Sequence, residues 1–386
     1  MAEVNARKRG NKWQYYFEGA KIDGKRQRIC KSGFSTKKEA LEAGVQALNQ
    51  YNTYGTFIPK GVTVAEFSDT FLEYCEETYK WTTFKSYESV INAYVKPELG
   101  RYKLDTVDVL MVEKLCQNLK VKGLLYGTMN KIIIVLKSMF KYAIKKDVVK
   151  TNPLQYLKIP KSMETPQSPS ESYTDKQIQE FLIAYKDEPV LYAIIMLGYH
   201  CGLRLSESLA LTWEDVDFKN KTIRVCKQIT NKKGILYFSL PKYNSVRTIS
   251  IDDKMYEYLL ELKQRKDSYP LRCKYRVNLD NSIEEITDTD TDTQYVNFVV
   301  SKINSSVTTT KQVHNKIDVY KHKGYPYFRS HWLRHTHCTK LMVNNIDLKY
   351  IQVRLGHKNM STTLDIYTHL TDSLCKSETD KVNKLF

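Results

Sequence analysis

His331-Trp332-Leu333-Arg334-His335-Thr336, near the C-terminal end of a 386-residue chain, decides the reading of this sequence. It sets an imidazole and a guanidinium three residues apart, which on a helix is one face. Three further stretches share its character: Gly202-Leu203-Arg204-Leu205-Ser206-Glu207 upstream, then Leu355-Gly356-His357 and Tyr367 downstream. A lysine, Lys242, lies in the Pro241-Lys242-Tyr243-Asn244-Ser245-Val246-Arg247 turn between two extended runs.

Transfer at a phosphodiester needs residues of these types. Negative charge grows on the non-bridging oxygens as phosphorus becomes pentacoordinate, and two guanidiniums grip them bidentately without a metal. Arg204 and Arg334 are the candidates, from separate helices that could converge. A phenol is a poor nucleophile until cations stabilise its phenolate, and Tyr367 follows His357 on a short helix after the Gly356 turn. A leaving 5′-hydroxyl needs a proton, which a lysine on a hairpin tip delivers; Lys242 fits, with Lys221, Lys227, Lys232 and Lys233 as competitors. His331, His335 and His337 have a spacing that lets only two share a face, and Arg334 among them repels a cation, so no metal and no other cofactor is expected. Serine-hydrolase elbow and P-loop motifs are absent, which disfavours acyl transfer and ATP-driven chemistry.

The rest of the chain suits that substrate. Sixty Lys+Arg against forty-three Asp+Glu give a net charge of +17, which points to nucleic acid. The longest apolar stretch, Val190 to Leu203, is interrupted and shorter than the roughly 20 residues of a spanning helix. No apolar run follows the charged N-terminus, so neither membrane insertion nor secretion is expected. Eight scattered cysteines without a C-x-x-C pair read as reduced thiols of a cytoplasmic protein.

Residues 1–58 read as a sheet-plus-helix module. Trp13, Tyr15 and Phe17 alternate with polar neighbours, an Asp23-Gly24 turn leads to a second extended run, and Thr36/Glu39 has capping-box spacing. Residues 1–40 hold eleven Lys/Arg and four Asp/Glu, and Arg7, Lys8, Arg9, Lys12, Arg26 and Arg28 form a basic face for DNA. Residues 62–157 read as helical, with helices expected over 82–94, 106–119 and 126–145. In the last, Lys137, Lys141 and Lys145 make a basic stripe for phosphate contact. Residues 158–170 carry three prolines and three serines and read as a linker. The domain 171–386 opens on a Thr174/Gln177 box and runs helical to about 211, then extended over 222–227, 236–240 and 246–251. Helices return from 330. The acidic tract 280–292 is expected as a surface loop, its Asp288-x-Asp290-x-Asp292 spacing lacking the glycine and glutamate of a calcium loop.

At these motifs the sequence resembles the tyrosine recombinase (phage integrase) family, in the order Arg204, Lys242, His331, Arg334, His357, Tyr367. The resemblance spans the chain and implies a multidomain, mainly α fold with small β-sheets: an arm-binding module, a helical core-binding domain and an α+β catalytic domain with a C-terminal tail. It implies that Arg204 and Arg334 clamp the scissile phosphate, Lys242 is the general acid, His331 assists proton transfer and His357 supports the transition state. Tyr367 forms a 3′-phosphotyrosyl link, and Glu207 buttresses the pocket without touching DNA. The implied partners are double-stranded DNA at core-type and arm-type sites, a homotetramer on DNA, and a host DNA-bending protein and excision factor, in the bacterial cytoplasm on the nucleoid. The function implied is integration and excision of a phage or conjugative transposon. A type IB topoisomerase shares the chemistry, and a non-catalytic DNA-binding regulator shares the basic modules. The stretches 228–235 and 268–325 exceed what the family's minimal domain needs.

Overall fold

In the computed structural model the described residues are 4–22, 25–54, 61–158, 172–267, 273–286 and 295–367. The chain divides into two compact units, Met1–Gln167 and Ser168–Phe386.

The first unit opens with a three-stranded antiparallel sheet, β1 (Asn5–Arg9), β2 (Lys12–Ile22) and β3 (Lys25–Phe34), followed by α1 (Lys37–Tyr54). Alternation along β2 buries Tyr15 and Phe17 against Ala40 and Ala47 of α1. The capping box starts α1 as expected: Thr36 Oγ1 accepts from the Glu39 amide at 3.2 Å and Glu39 returns the bond to the Thr36 amide. Strand β1 was not anticipated, because its NARKR sequence has no apolar alternation; pairing of Arg7 with Gln14 and Lys8 with Trp13 makes it a strand. The Asp23-Gly24 turn lies outside the described residues.

A helical bundle follows: α2 (Val64–Thr78), α3 (Trp81–Val90), α4 (Lys96–Leu99), α5 (Val109–Val121) and α6 (Tyr126–Lys145). Between α3 and α4, Ile91–Val95 forms a π-helical turn. Pro97 has no amide to give the preceding turn, and the chain widens just before it. Helix α6 has the bounds that its periodicity predicts. It buries Met129, Ile132, Ile133, Val135, Leu136, Met139, Phe140, Tyr142 and Ala143, a broader face than a simple stripe, because other helices pack on more than one side of it. Each buried Val, Ile, Leu, Met or Phe among them contributes roughly 1.5–3 kcal/mol by leaving water.

The second unit begins with α7 (Asp175–Ala184), α8 (Pro189–Cys201) and α9 (Leu205–Ala210), three helices where the sequence suggests one continuous helical region. The apolar stretch of the sequence is α8, buried on nearly every side in the main core of this unit. No described helix is long and apolar enough to cross a membrane. Strands β4 (Val216–Asp217), β5 (Thr222–Val225), β6 (Gln228–Lys232), β7 (Ile235–Ser239) and β8 (Arg247–Ser250) follow, then α10 (Asp253–Asp267), β9 (Lys274–Val277) and β10 (Ser282–Ile286). They form two antiparallel sheets, in the orders β4-β5-β8 and β6-β7-β10-β9.

One stretch left unassigned takes a form here, and one expectation changes. Residues 228–235, which exceeded the minimal domain, are mostly strand β6. The acidic tract is not wholly a loop: Ser282–Ile286 pairs with both β7 and β9, and Glu284 faces Arg276 at 3.0 Å across the ladder. That cross-strand charge pairing is invisible in a local reading. Asp288, Asp290 and Asp292 lie outside the described residues.

The unit closes with α11 (Thr310–His322), α12 (Ser330–Val343), α13 (Leu348–Leu355) and α14 (Met360–Tyr367). Helices α8 and α12 approach closely: a Cβ on Gly198 would lie 2.8 Å from the Leu333 Cβ. This contact sets Arg334, the next residue of α12, beside the C-terminus of α8.

Candidate active site

Helices α8 and α13 both end on a left-handed glycine, Gly202 (φ 65) and Gly356 (φ 66). The last carbonyls of a helix lack amide partners and carry the negative end of its dipole, so they suit guanidiniums. Arg334 takes both ends, donating from Nη1 to the Gly202 carbonyl at 2.7 Å and from Nη2 to the Leu355 carbonyl. Arg204, at the N-cap of α9, donates from Nη2 to the Gly356 carbonyl at 2.9 Å and from Nη1 to Glu207 Oε1 at 2.7 Å. Glu207 also accepts the Arg204 amide at 2.9 Å, so one carboxylate caps α9 and orients the arginine.

A third guanidinium, which the sequence reading did not single out, completes the cluster. Arg247 donates to Glu207 Oε2 at 2.9 Å and Oε1 at 3.2 Å, and from Nε to the Arg354 carbonyl at 2.7 Å. Glu207 is fully buried, and its carboxyl is pulled two ways. Burial pushes its pKa up, whereas the Arg247 hydrogen bonds and the charges of Arg247, Arg204 and Arg334 outweigh that and hold it at about 2. The cluster therefore holds three buried or nearly buried positive charges against one negative charge. The Arg204 side chain is 16% exposed and that of Arg334 2%. The bonds to protein occupy one hydrogen on each terminal nitrogen of Arg204 and Arg334, of the five N–H donors a guanidinium carries.

His357 adjoins this cluster, its Nδ1 2.9 Å from Thr363 Oγ1 of α14. Burial, then the charges of Arg334 and Arg204, lowers its pKa to about 3, so the ring is neutral. Tyr367 lies one helical turn beyond Thr363 and closes α14; its side chain lies outside the described residues. His331 is exposed on α12, its ring edge-on to His335 at 4.5 Å. Lys242 is exposed in the turn Lys242–Asn244 between β7 and β8, with Nζ 5.1 Å from the Tyr243 ring centre.

Two competing lysines are engaged elsewhere. Lys227 is held by Asp215 at 2.5 Å and Thr212 at 3.0 Å, and Lys221 by Asp253 at 2.7 Å. The histidine spacing does not make a metal trio either. His337 is buried, with Nδ1 2.7 Å from the Tyr199 carbonyl and Nε2 accepting from Arg354 Nε at 3.0 Å. Because a guanidinium only donates, the His337 proton sits on Nδ1. Burial lowers its pKa to about 3. Among the described residues no group of three His, Cys, Asp or Glu side chains is placed to hold a metal ion.

The basic residues of the first unit divide as well. On the sheet face opposite α1, Arg7 donates to Gln14 at 3.1 Å, and Arg7 and Arg28 flank the Tyr16 ring at 5.5 and 5.1 Å. Lys8, Arg9 and Lys12 are exposed; the Arg26 side chain lies outside the described residues. Of the α6 stripe, Lys141 and Lys145 are exposed, but Lys137 is half-buried and donates to the Leu157 carbonyl at 2.8 Å. Its ammonium ties α6 to the chain that leaves the bundle, a use that periodicity cannot show.

The arginine cluster has an acid signature. Glu207 contributes stability above about pH 4.5 that is lost as pH falls toward 2. Neutral His337 and His357 contribute stability above pH 6.5 that is lost as pH falls toward 3. Glu207→Gln leaves buried guanidiniums without their carboxylate and is expected to cost roughly 3–5 kcal/mol near pH 7. The deficit should shrink between pH 4.5 and 2, where the unsubstituted protein loses the same charge, while the decline below pH 6.5 persists. Urea midpoints across pH check this; a deficit constant to pH 2 would contradict it.

Three comparisons with known proteins bear on this geometry. The phage integrase family profile matches residues 171–373, an arm DNA-binding domain profile matches 4–51, and a phage integrase N-terminal SAM-like domain profile matches 63–120. A tyrosine recombinase XerC-like protein of Caldanaerobacter subterraneus subsp. tengcongensis is 28% identical over 366 residues, covering 91% of this chain and 90% of that one. The ICEBs1 integrase of Bacillus subtilis is 23% identical and covers 91% of each chain. Among solved structures, the Tn1549 transposon integrase in complex with a circular intermediate DNA aligns with a TM-score of 0.66 and 25% identity, covering 83% of this chain and 99% of that chain.

Proposed function

Because this chain belongs to the phage integrase family of tyrosine recombinases, we propose that its arginine cluster is the site at which a DNA phosphodiester is cut and rejoined through Tyr367. The protein is a site-specific recombinase of the integrase type. The observation that carries the site is the surplus of positive charge: Arg204, Arg247 and Arg334 surround the carboxylate of Glu207, in a region where burial amplifies each charge.

In the proposed mechanism, Arg204 and Arg334 donate their remaining N–H groups to the non-bridging oxygens of the scissile phosphate. Their bonds to helix C-terminal carbonyls and Glu207 fix both forks before DNA arrives, so little reorganisation is left for the reaction. With Nδ1 of His357 accepting the Thr363 hydroxyl, Nε2 carries the proton and donates to a non-bridging oxygen as charge accumulates. The Tyr367 oxygen attacks phosphorus, its proton passing to His331 or water. The bond from phosphorus to the 5′-oxygen breaks, the electron pair leaves on that oxygen, and Lys242 supplies its proton. The 3′-phosphotyrosyl link conserves the bond, so a second 5′-hydroxyl reverses the step without ATP. Glu207 fixes the arginines and touches no DNA.

The substrate is double-stranded DNA, on which the protein works as an oligomer; four protomers exchanging strands in pairs is the arrangement proposed. The exposed basic face of the β1-β2-β3 sheet grips arm-type DNA, and Lys141 and Lys145 contact core-type DNA. A host DNA-bending protein and an excision factor are the accessory partners proposed, in the bacterial cytoplasm on the nucleoid. Trapping a covalent protein–DNA adduct on a nicked suicide duplex tests the chemistry, and adding two partner sites separates recombination from simple nicking and resealing. No adduct on any cognate site would overturn the reading.

The division of labour gives a further expectation. Deleting residues 1–58 should leave cleavage of an isolated core site intact while abolishing assembly on a full attachment site. The arm module supplies effective concentration rather than chemistry. Its isolated fragment should prefer arm-type over scrambled duplex, with affinity falling steeply in salt. A truncated protein unable to cleave a lone core site would refute this.

A further inference from the structure

Resting on the reading of Lys242 as proton donor, we propose that Arg247 is a positioning residue that fixes the Lys242 turn against the phosphate clamp. Arg247 touches three parts of the site at once. Its forked end holds Glu207, and its Nε holds the Arg354 carbonyl near the end of α13. Its Nη1 also donates to the Ser245 carbonyl at 3.2 Å, inside the turn itself. From there the bonds lead to the lysine: Ser245 Oγ donates to the Lys242 carbonyl at 2.9 Å, and the Asn244 amide to the Pro241 carbonyl at 2.9 Å.

The turn needs such anchoring. Tyr243 (φ 63) and Asn244 (φ 53) are consecutive non-glycine residues in the left-handed region, a conformation that persists only where the surroundings impose it. Lys242 and Tyr243 are exposed, so the restraint comes from the other side of the turn. Ser245 rests on Gly356: a Cβ there would lie 2.8 Å from Ser245 Oγ and 3.1 Å from Arg247 Nη1. The carbonyl of that same Gly356 holds Arg204. Arg247 thus links the group that protonates the leaving oxygen to the groups that hold the phosphate, and a general acid acts only within hydrogen-bond reach of its target. Arg247 spends its Nε, both Nη1 hydrogens and one Nη2 hydrogen on protein acceptors and acts through these contacts.

Sulfur in place of the 5′-bridging oxygen provides the test. A thiolate is a far better leaving group than an alkoxide and departs without a proton, so a defect confined to proton delivery vanishes on that substrate. Arg247→Lys keeps the charge but loses the fork. It should slow covalent capture of an ordinary suicide duplex by about 10²-fold and cleave the sulfur-bridged duplex at nearly the unsubstituted rate, as should Lys242→Ala. If sulfur rescues Lys242→Ala but not Arg247→Lys, Arg247 serves the clamp and its role toward Lys242 is refuted. If sulfur does not rescue Lys242→Ala, the proton-donor reading itself fails, and the inference with it. Should Arg247→Lys melt as an unfolded chain, Ser245→Ala decides, since it removes one bond of the same anchor at a half-buried position. A smaller but sulfur-rescued defect supports the inference, and an equal loss on both duplexes overturns it.

Discussion

Tyr367→Phe is expected to abolish covalent capture of a nicked duplex while leaving DNA affinity nearly unchanged. The substitution removes one hydroxyl at the end of α14, whereas binding is spread over the basic surfaces of a chain with net charge +17. The two quantities therefore separate cleanly. Gel detection of the adduct beside a binding titration measures both. An adduct formed by the Phe variant would place the nucleophile elsewhere and remove the main support for the mechanism.

Arg204→Ala should slow cleavage by roughly 10³-fold or more, in line with the loss of an arginine that stabilises a transferring phosphoryl group. The structure distinguishes it from Arg334, which carries the same proposed role. Arg334 is buried and holds the carbonyls of Gly202 and Leu355 together, so Arg334→Ala should destabilise the unit as well as slow the reaction. Arg204 is the more exposed of the two, and its loss should act mainly on the rate. Single-turnover cleavage with saturating protein, set beside thermal melting, checks the contrast. Equal losses in binding and rate for Arg204→Ala would make it an ordinary backbone contact.

Much of the fold was legible because its cues are local. The Thr36 and Thr174 boxes start α1 and α7, each needing only a side chain three residues from an amide. The bounds of α6 followed from the spacing of its apolar residues. The pairing of β10 with β7 and β9 was not legible, because short strands join through partners distant in sequence, and an acidic composition reads as a loop until Arg276 is placed across from Glu284.

At the site, the sequence by itself determined which chemistry is available: guanidiniums, imidazoles, a lysine and a tyrosine in a fixed order, a set suited to a phosphodiester and to little else. Tertiary structure decided which partners each one has. His337 lies three residues from Arg334, as His331 does on the other side, yet burial against Arg354 and Tyr199 removes it from any open site. Lys227 competes with Lys242 as donor by sequence, and in the fold Asp215 and Thr212 lie against Lys227. Arg247 meets Glu207 from 40 residues away and Arg354 from 107, separations at which no periodicity or spacing carries information. A side chain's type is fixed by its codon, but its charge state and partners depend on burial and on neighbours, and both come into being only when distant segments pack.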